Sequence, residues 1–186
     1  GSSVTFDKTA PDTASAPDLT SDYGNSSTDN ITYDDTPRFF GTAEAFLTVK
    51  LYSNVNGLIG TVTASDTSTY EVVASALYEG NHIITATVTD GPGNVSPISS
   101  STTITIDKTP PAQPGIPDMD AGSDTGKEDD DNITNDNTPL FAGTSETNCS
   151  IRVFSGASQI GTTSADIFGV WSFTAPPLSP GDHKIV

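Results

Sequence analysis

The sequence is poor in cysteine, in basic residues and in long apolar runs. It holds a single cysteine, Cys149, so no disulfide can form within the chain. It contains nothing close to the ~20 consecutive apolar residues of a membrane span. Seven lysines and arginines stand against 24 acidic residues, which gives a net charge of −17. This balance repels nucleic acid and anionic membrane surfaces, so we expect neither nucleic-acid binding nor membrane insertion.

Helical periodicity is also absent, and the residues that abound are Thr, Ser, Gly, Pro and Asp. Short alternating segments such as residues 47–51 and 149–153 recur between turn-forming residues, a pattern typical of an all-β sandwich. We expect seven strands in the first half of the chain, at residues 16–19, 38–42, 47–51, 58–64, 68–73, 82–89 and 101–106. The inward-facing residues would be Phe39, Leu47, Val49, Leu51, Ile59, Tyr70, Val72, Leu77, Ile84, Val88, Ile104 and Ile106, and most aromatic residues of the chain fall on inward positions.

The chain carries an internal repeat of about 101 residues, a period that suits a domain. Asp7-Lys8-Thr9 recurs as Asp107-Lys108-Thr109, followed by prolines that make a semi-rigid spacer. We expect a first repeat at residues 1–106, in which 1–11 are the strand end and linker of a preceding repeat, and a second repeat at residues 107–186. Val186 matches Thr85, so the second repeat lacks its last strands. Either the sequence is a fragment, which we favour, or another chain supplies them.

Four motifs in order carry a resemblance to a known family: Ser21 to Pro37, Phe39 to Glu44, Gly80 to Asn94, and Asp107 to Pro111. They resemble the tandem bacterial immunoglobulin-like extender repeats of giant RTX-type surface adhesins. The resemblance implies two tandem immunoglobulin-like β-sandwich domains in a secreted or cell-surface protein without enzymatic activity. In that family such repeats form stalks that calcium stiffens and that support cell adhesion or biofilm formation. The partners would be adjacent repeats of the same chain, with a distal ligand that the sequence does not identify.

The joint between repeats is the first candidate calcium site. Nineteen of the acids are Asp, and short carboxylates in loops suit hard cations, of which Ca²⁺ takes six to eight oxygen ligands. The chain course of an immunoglobulin-like sandwich would gather one set of side chains in each repeat. These are Asp7, Glu44, Asp90 and Asn94 in the first repeat, and Asp107 and Glu146 in the second. The alternative is that these are ordinary turn residues that cap backbone amides.

The long acidic loop of each repeat is the second candidate. Its acids are Asp22, Asp29 and Asp34 in the first repeat, and Asp124, Asp131 and Asp136 in the second. The loop lacks the twelve-residue, Glu-terminated pattern of an EF-hand. The second loop also carries additional carboxylates at Glu128, Asp129 and Asp130. The alternative is a solvated acidic loop.

We expect structural roles for the remaining conspicuous residues, and we identify no catalytic candidate. His82 and His183 occupy equivalent corner positions, where a sandwich ties a side chain to upstream backbone. Cys149 and Trp171 match inward positions of the first repeat. The competing functions are a ligand-binding module for a carbohydrate or a host protein, which would want an exposed aromatic platform, and an accessory domain of a secreted hydrolase.

Overall fold

The computed structural model describes residues 1–24, 26–128 and 131–186. It divides the chain into unit 1, Gly1–Thr109, and unit 2, Pro110–Val186. The described residues contain no helix, and the all-β prediction is confirmed. Unit 1 has strands β1 (Asp18–Leu19), β2 (Ile31–Thr32), β3 (Arg38–Thr42), β4 (Thr48–Ser53), β5 (Gly57–Thr63), β6 (Thr69–Val73), β7 (Gly80–Thr89) and β8 (Thr102–Ile106). Unit 2 has β9 (Asp118–Met119), β10 (Leu140–Thr144), β11 (Ser150–Ser155), β12 (Ser158–Ser164) and β13 (Val170–Thr174).

Unit 1 consists of a three-stranded sheet, β1-β3-β6, and a five-stranded sheet, β2-β8-β7-β4-β5. All neighbouring strands are antiparallel except β2 and β8, which run parallel. Alternate side chains of both sheets form one core, because successive residues of a strand face opposite sides. Every residue of the predicted inward set is at most 5 % exposed except Leu47, which is partly buried against the same core.

Two parts of the unit 1 prediction were incomplete. The long acidic loop of the first repeat contains β2, so unit 1 has eight strands and not the seven expected. The core also includes five alanines, because small side chains fill space between the larger ones: Ala14, Ala43, Ala64, Ala74 and Ala86.

A glycine lies opposite an aromatic residue at the same place in both units. Gly41 of β3 pairs with Tyr70 of β6, and Gly143 of β10 pairs with Trp171 of β13. A Cβ atom added to either glycine would lie 2.4 Å from the opposite ring, so each ring lies directly on the glycine backbone. Burial at this position raises the pKa of Tyr70 to about 12.

Unit 2 repeats part of this arrangement. Its sheets are β13-β10-β9 and β11-β12, and its core contains Ile151, Val153, Ala165 and Trp171. Partly buried Cys149 packs against this core, as its sequence position predicts. Within the described residues of unit 2, no strand corresponds to β8. The strand corresponding to β7 is represented by one bridge between Ile185 and Ser155.

The expectation that most aromatic residues face inward is wrong. Seven of the fourteen are exposed: Phe6, Tyr23, Tyr33, Phe40, Phe46, Tyr78 and Phe168. Most of them lie outside the strands or at outward-facing strand positions, where the alternation of a strand does not force burial.

Candidate functional site

Most acids of the long loop cap turns in both units. Asp29 Oδ1 accepts the N–H of Ile31 at 3.1 Å, and Asp34 Oδ1 accepts the N–H of Thr36 at 2.9 Å. Their counterparts do the same, Asp131 to Ile133 at 2.9 Å and Asp136 to Thr138 at 2.8 Å. The backbone and hydroxyl bonds from Thr138 hold the pKa of Asp136 below its usual value. These acids have the local role that carboxylates commonly play in turns.

Asp22 and Asp124 differ from the other loop acids. One carboxylate oxygen of each, Oδ2, accepts the N–H of Asn30 at 3.1 Å or of Asn132 at 2.9 Å. The other oxygen, Oδ1, is buried and has no hydrogen-bond partner among the described residues of either unit. Asp124 is only 5 % exposed. A buried carboxylate oxygen without a partner is costly, so its occurrence at two equivalent positions requires an explanation.

Neighbouring hydroxyls fix the backbone around these two carboxylates. Ser21 Oγ accepts the N–H of Arg38 at 2.7 Å, and Ser123 Oγ accepts that of Leu140 at 2.9 Å. In unit 1 the buried Thr32 hydroxyl donates to Ser21 O at 3.0 Å. The residue that precedes each Asp is therefore bonded to β3 or β10, and the bond from Oδ2 to the Asn30 or Asn132 N–H orients the carboxylate.

The first candidate site in unit 1 brings together three of its four predicted residues. Asp90 Oδ1 accepts the N–H groups of Gly93 and Asn94 at 2.8 and 2.7 Å. The Asn94 Nδ2 amide donates to Asp90 Oδ2 at 2.8 Å and to the backbone carbonyl of Asp7 at 3.4 Å. The Asn94 side chain and these backbone amides hold the pKa of Asp90 below its usual value. Two oxygens from distant parts of the chain therefore converge on one amide nitrogen.

The remaining predicted joint residues bind backbone amides. Glu44 Oε1 accepts the N–H of Asp12, and Glu146 Oε1 accepts that of Ala112 at 2.8 Å. Each glutamate thus fastens the start of its unit to the turn after β3 or β10.

The aspartates of the two joint motifs each close a local turn. Asp7 Oδ1 accepts the N–H of Thr9 at 2.9 Å, and Asp107 Oδ1 accepts that of Thr109 at 3.0 Å. The carboxylate of Asp7 is thus engaged locally, while its backbone carbonyl faces Asn94.

No three His, Cys, Asp or Glu side chains form a metal-binding group within residues 1–24, 26–128 and 131–186. An ion at either candidate site would therefore need backbone carbonyls, amide oxygens or water beside one carboxylate. Two predicted extra carboxylates, Asp129 and Asp130, lie outside the described residues. Sequence reasoning selected Asp22 and Asp124 but could not separate them from the turn-capping acids, because the motif spacing does not reveal which oxygen is buried.

The histidines are structural corner residues, as predicted. His82 Nε2 donates to the carbonyl of Tyr78 at 2.8 Å, and in the neutral ring Nδ1 then accepts the hydroxyl proton of Ser53 at 2.9 Å. His183 makes the same two contacts, with Ser179 O at 2.8 Å and with Ser155 Oγ at 2.9 Å. His82 is buried and both of its ring nitrogens are engaged, so it is not available as a base or a ligand.

Sheets packed around a shared core, with the same glycine–aromatic register in both halves, define a pair of immunoglobulin-like β-sandwich units. The family model described as bacterial Ig-like domain matches residues 9–108 and again residues 110–186. The chain therefore belongs to the bacterial Ig-like domain family. No enzymatic family is indicated, and the described residues include no helix able to cross a membrane.

Among solved structures, a biofilm associated protein described as its BSP domain is 18 % identical over 89 % of this chain, with a TM-score of 0.32. This chain spans 25 % of that one. The comparison with curated proteins gave no match.

Proposed function

We propose that this chain is a pair of calcium-stiffened extender repeats from a secreted or cell-surface bacterial adhesin that supports adhesion or biofilm formation. Membership of the bacterial Ig-like domain family and the tandem repeat support a structural role. The RTX-type class of the parent protein rests on the sequence motifs alone.

The observation that carries the calcium part of the proposal is the unpartnered Oδ1 of Asp22 and Asp124. Calcium prefers oxygen ligands and tolerates irregular geometry, so one fixed carboxylate oxygen with backbone carbonyls and water can hold it. When bound, the ion would supply positive charge to a buried anionic oxygen in a chain of net charge −17. The converging oxygens of Asp7 and Asp90 in unit 1 are a second place for a cation, provided that the Asn94 amide, whose Nδ2 now lies between them, turns its oxygen toward the ion.

Hydrogen bonds connect the Asp22 loop of unit 1 to the segment that leads out of the unit. Thr32 O accepts the N–H of Asp107 at 2.9 Å. Lys108 Nζ donates to Asp35 Oδ2 at 2.9 Å. This exposed ion pair adds little to the stability of unit 1, but it is a second contact between the loop and the outgoing segment. An ion that orders the loop would therefore also order residues 107–108. Stiffening of a tandem repeat follows from this coupling.

The test is thermal unfolding in calcium and in EDTA, with Asp22→Asn/Asp124→Asn beside the parent. At ten times the dissociation constant one ion adds about 1.4 kcal/mol to the state that binds it, which corresponds to several degrees in Tm for a unit of this size. We expect the Tm of the parent to be higher in calcium than in EDTA, and the Tm of the variant to be the same in both. In EDTA we expect the variant to have a higher Tm than the parent, because asparagine can still accept the Asn30 or Asn132 N–H without burying a charge.

The matched control is Asp18→Asn/Asp118→Asn, which removes the same charge at exposed equivalent positions. This control should keep the calcium response of the parent. A parent whose Tm is the same in calcium and EDTA, or a calcium response that survives in Asp22→Asn/Asp124→Asn, would contradict these two sites.

A carbohydrate-binding module is the second candidate, and one observation favours it. Tyr23 and Tyr33 are exposed and stack with ring centroids 6.0 Å apart. Unit 2 has Thr125 and Asn135 in their place, joined by a 2.6 Å hydrogen bond. A small polar pair replaces the aromatic pair in unit 2. A role in holding the two sides of the loop together therefore explains both pairs, whereas a sugar-binding platform would explain only the tyrosines. If the parent binds a glycan and Tyr23→Ala/Tyr33→Ala abolishes that binding, the carbohydrate-binding module becomes the favoured function.

A further inference from the structure

Tyr23 and Tyr33 lie side by side although they belong to opposite sides of the acidic loop of unit 1. The N–H of Tyr33 donates to the backbone carbonyl of Tyr23 at 3.2 Å. The N–H of Tyr23 donates in turn to the Thr32 hydroxyl at 3.2 Å, and Thr32 is only 1 % exposed. Hydrogen bonds therefore hold together the two backbone segments that carry these tyrosines.

The two phenol rings are stacked and open to solvent. Their centroids lie 6.0 Å apart, and their planes are inclined by 30°. Tyr23 is 52 % exposed and Tyr33 is 63 % exposed, so a dissolved reagent can reach both rings. Groups that a fold holds this close react with each other far faster than free groups in solution do.

No other tyrosine has this arrangement within the part of the chain that the structure describes. Tyr70 is buried, and neither the exposed Tyr78 nor the partly buried Tyr52 lies against another aromatic ring there. The sequence of unit 2 contains no tyrosine, and Thr125 and Asn135 stand at the two equivalent positions. Chemistry that needs two adjacent phenols is therefore confined to one place in the chain.

We propose that Tyr23 and Tyr33 form an oxidative cross-linking site, at which a peroxidase with hydrogen peroxide joins the two rings as dityrosine and staples the loop of unit 1. Each phenol gives up one electron and one proton and becomes a tyrosyl radical. The two radicals form a carbon–carbon bond between the ring carbons next to the hydroxyls. The hydrogen on each of these carbons then moves to the oxygen, which restores both phenols. Hydrogen peroxide takes up the two electrons and two protons and becomes two molecules of water.

The staple would close a covalent ring around residues 23–33. A cross-link removes more freedom from the unfolded chain than from the folded chain, in which the two tyrosines are already adjacent. The cross-linked chain should therefore unfold at a higher Tm than the untreated chain. Neither the reaction nor its test requires calcium, so the outcome is independent of calcium binding at Asp22.

The experiment treats the full chain at low micromolar concentration with peroxidase and hydrogen peroxide, followed by trypsin and mass spectrometry. Both tyrosines lie in the tryptic peptide of residues 9–38, which should appear lighter by two hydrogen atoms. Its fragments on the two sides of Asp29 should stay joined after cleavage at aspartates. Tyr33→Phe keeps a ring for stacking but removes one phenol, so it should give no such product. Tyr78→Phe removes a comparably exposed tyrosine and should react as the parent does.

Three results would overturn the cross-linking site. These are a parent that gives no dityrosine, dityrosine that forms only between chains, and a cross-link within the chain that Tyr33→Phe does not reduce. A peptide of residues 21–35, which lacks the rest of the fold, should react several-fold more slowly than the full chain. An equal rate would show that the folded geometry plays no part.

Thermal unfolding tests whether the cross-link is a staple. The Tm of the cross-linked parent should exceed that of the untreated parent, whereas Tyr33→Phe should have the same Tm before and after treatment with the oxidant. A cross-linked parent with an unchanged or lower Tm would refute the staple.

Discussion

The carboxylate of Asp90 closes a turn around its own backbone, with three N–H groups of Gly93 and Asn94 directed at its two oxygens. Hydrogen bonds to the charged form lower the pKa of this group. The unfolded chain lacks these bonds, so its Asp90 takes up a proton at a higher pH than the folded chain does. The contribution of the turn is therefore present above the unfolded pKa of about 3.8 and is lost as the pH falls through the folded pKa.

We expect Asp90→Asn to destabilise unit 1 at pH 7 and to differ little from the parent at the acid end of the folded range. Urea unfolding of both proteins between pH 7 and pH 3 measures this. Asp66→Asn is the control, since Asp66 is exposed. A deficit of the same size at every pH would show that the charge of Asp90 is not what matters.

The two corner histidines provide a second comparison at the level of single residues. His82 is 1 % exposed, whereas His183 is partly exposed, and both make the same pair of hydrogen bonds. His82→Ala would leave the Tyr78 carbonyl and the Ser53 hydroxyl without this partner, so we expect unit 1 to lose about 1–3 kcal/mol. His183→Ala should cost unit 2 less, because water can reach the groups left behind. Equal losses in denaturant unfolding would contradict this explanation.

Among the strand elements, the contact of Gly41 with Tyr70 joins β3 to β6, and that of Gly143 with Trp171 joins β10 to β13. No side chain fits between glycine and ring. We expect Gly41→Ala to displace the Tyr70 ring and to destabilise unit 1 by about 1–3 kcal/mol, the usual cost of an overpacked core. Gly91→Ala is the control, because nothing lies within 4 Å of its added Cβ. A stability of Gly41→Ala equal to that of Gly91→Ala would show that the ring moves freely.

The strands were predictable where apolar and polar residues alternate, as in β4 and β7. The β2 strand was not, because its two residues show no alternation and its pairing with β8 joins positions far apart in sequence. The acidic residues of the candidate site were predictable as a set. Their division into turn caps and the unpartnered Asp22 and Asp124 was not, since it depends on which oxygen the folded chain buries.

For the whole molecule, the net charge of −17 means that every additional ion bound to a carboxylate reduces self-repulsion. The loops that hold Asp22 and Asp124 are distributed one to each unit, so the effect would repeat along a tandem array. In unit 1 the loop also bonds the backbone of Asp107, so an ion bound at the loop would affect the direction in which the chain leaves the unit.

Small-angle scattering of the full chain in excess calcium and in EDTA tests the calcium-stiffened extender most directly. We expect a larger and better-defined maximum dimension in calcium than in EDTA for the parent, and no difference between the two conditions for Asp22→Asn/Asp124→Asn. Identical scattering profiles in calcium and in EDTA would contradict the account.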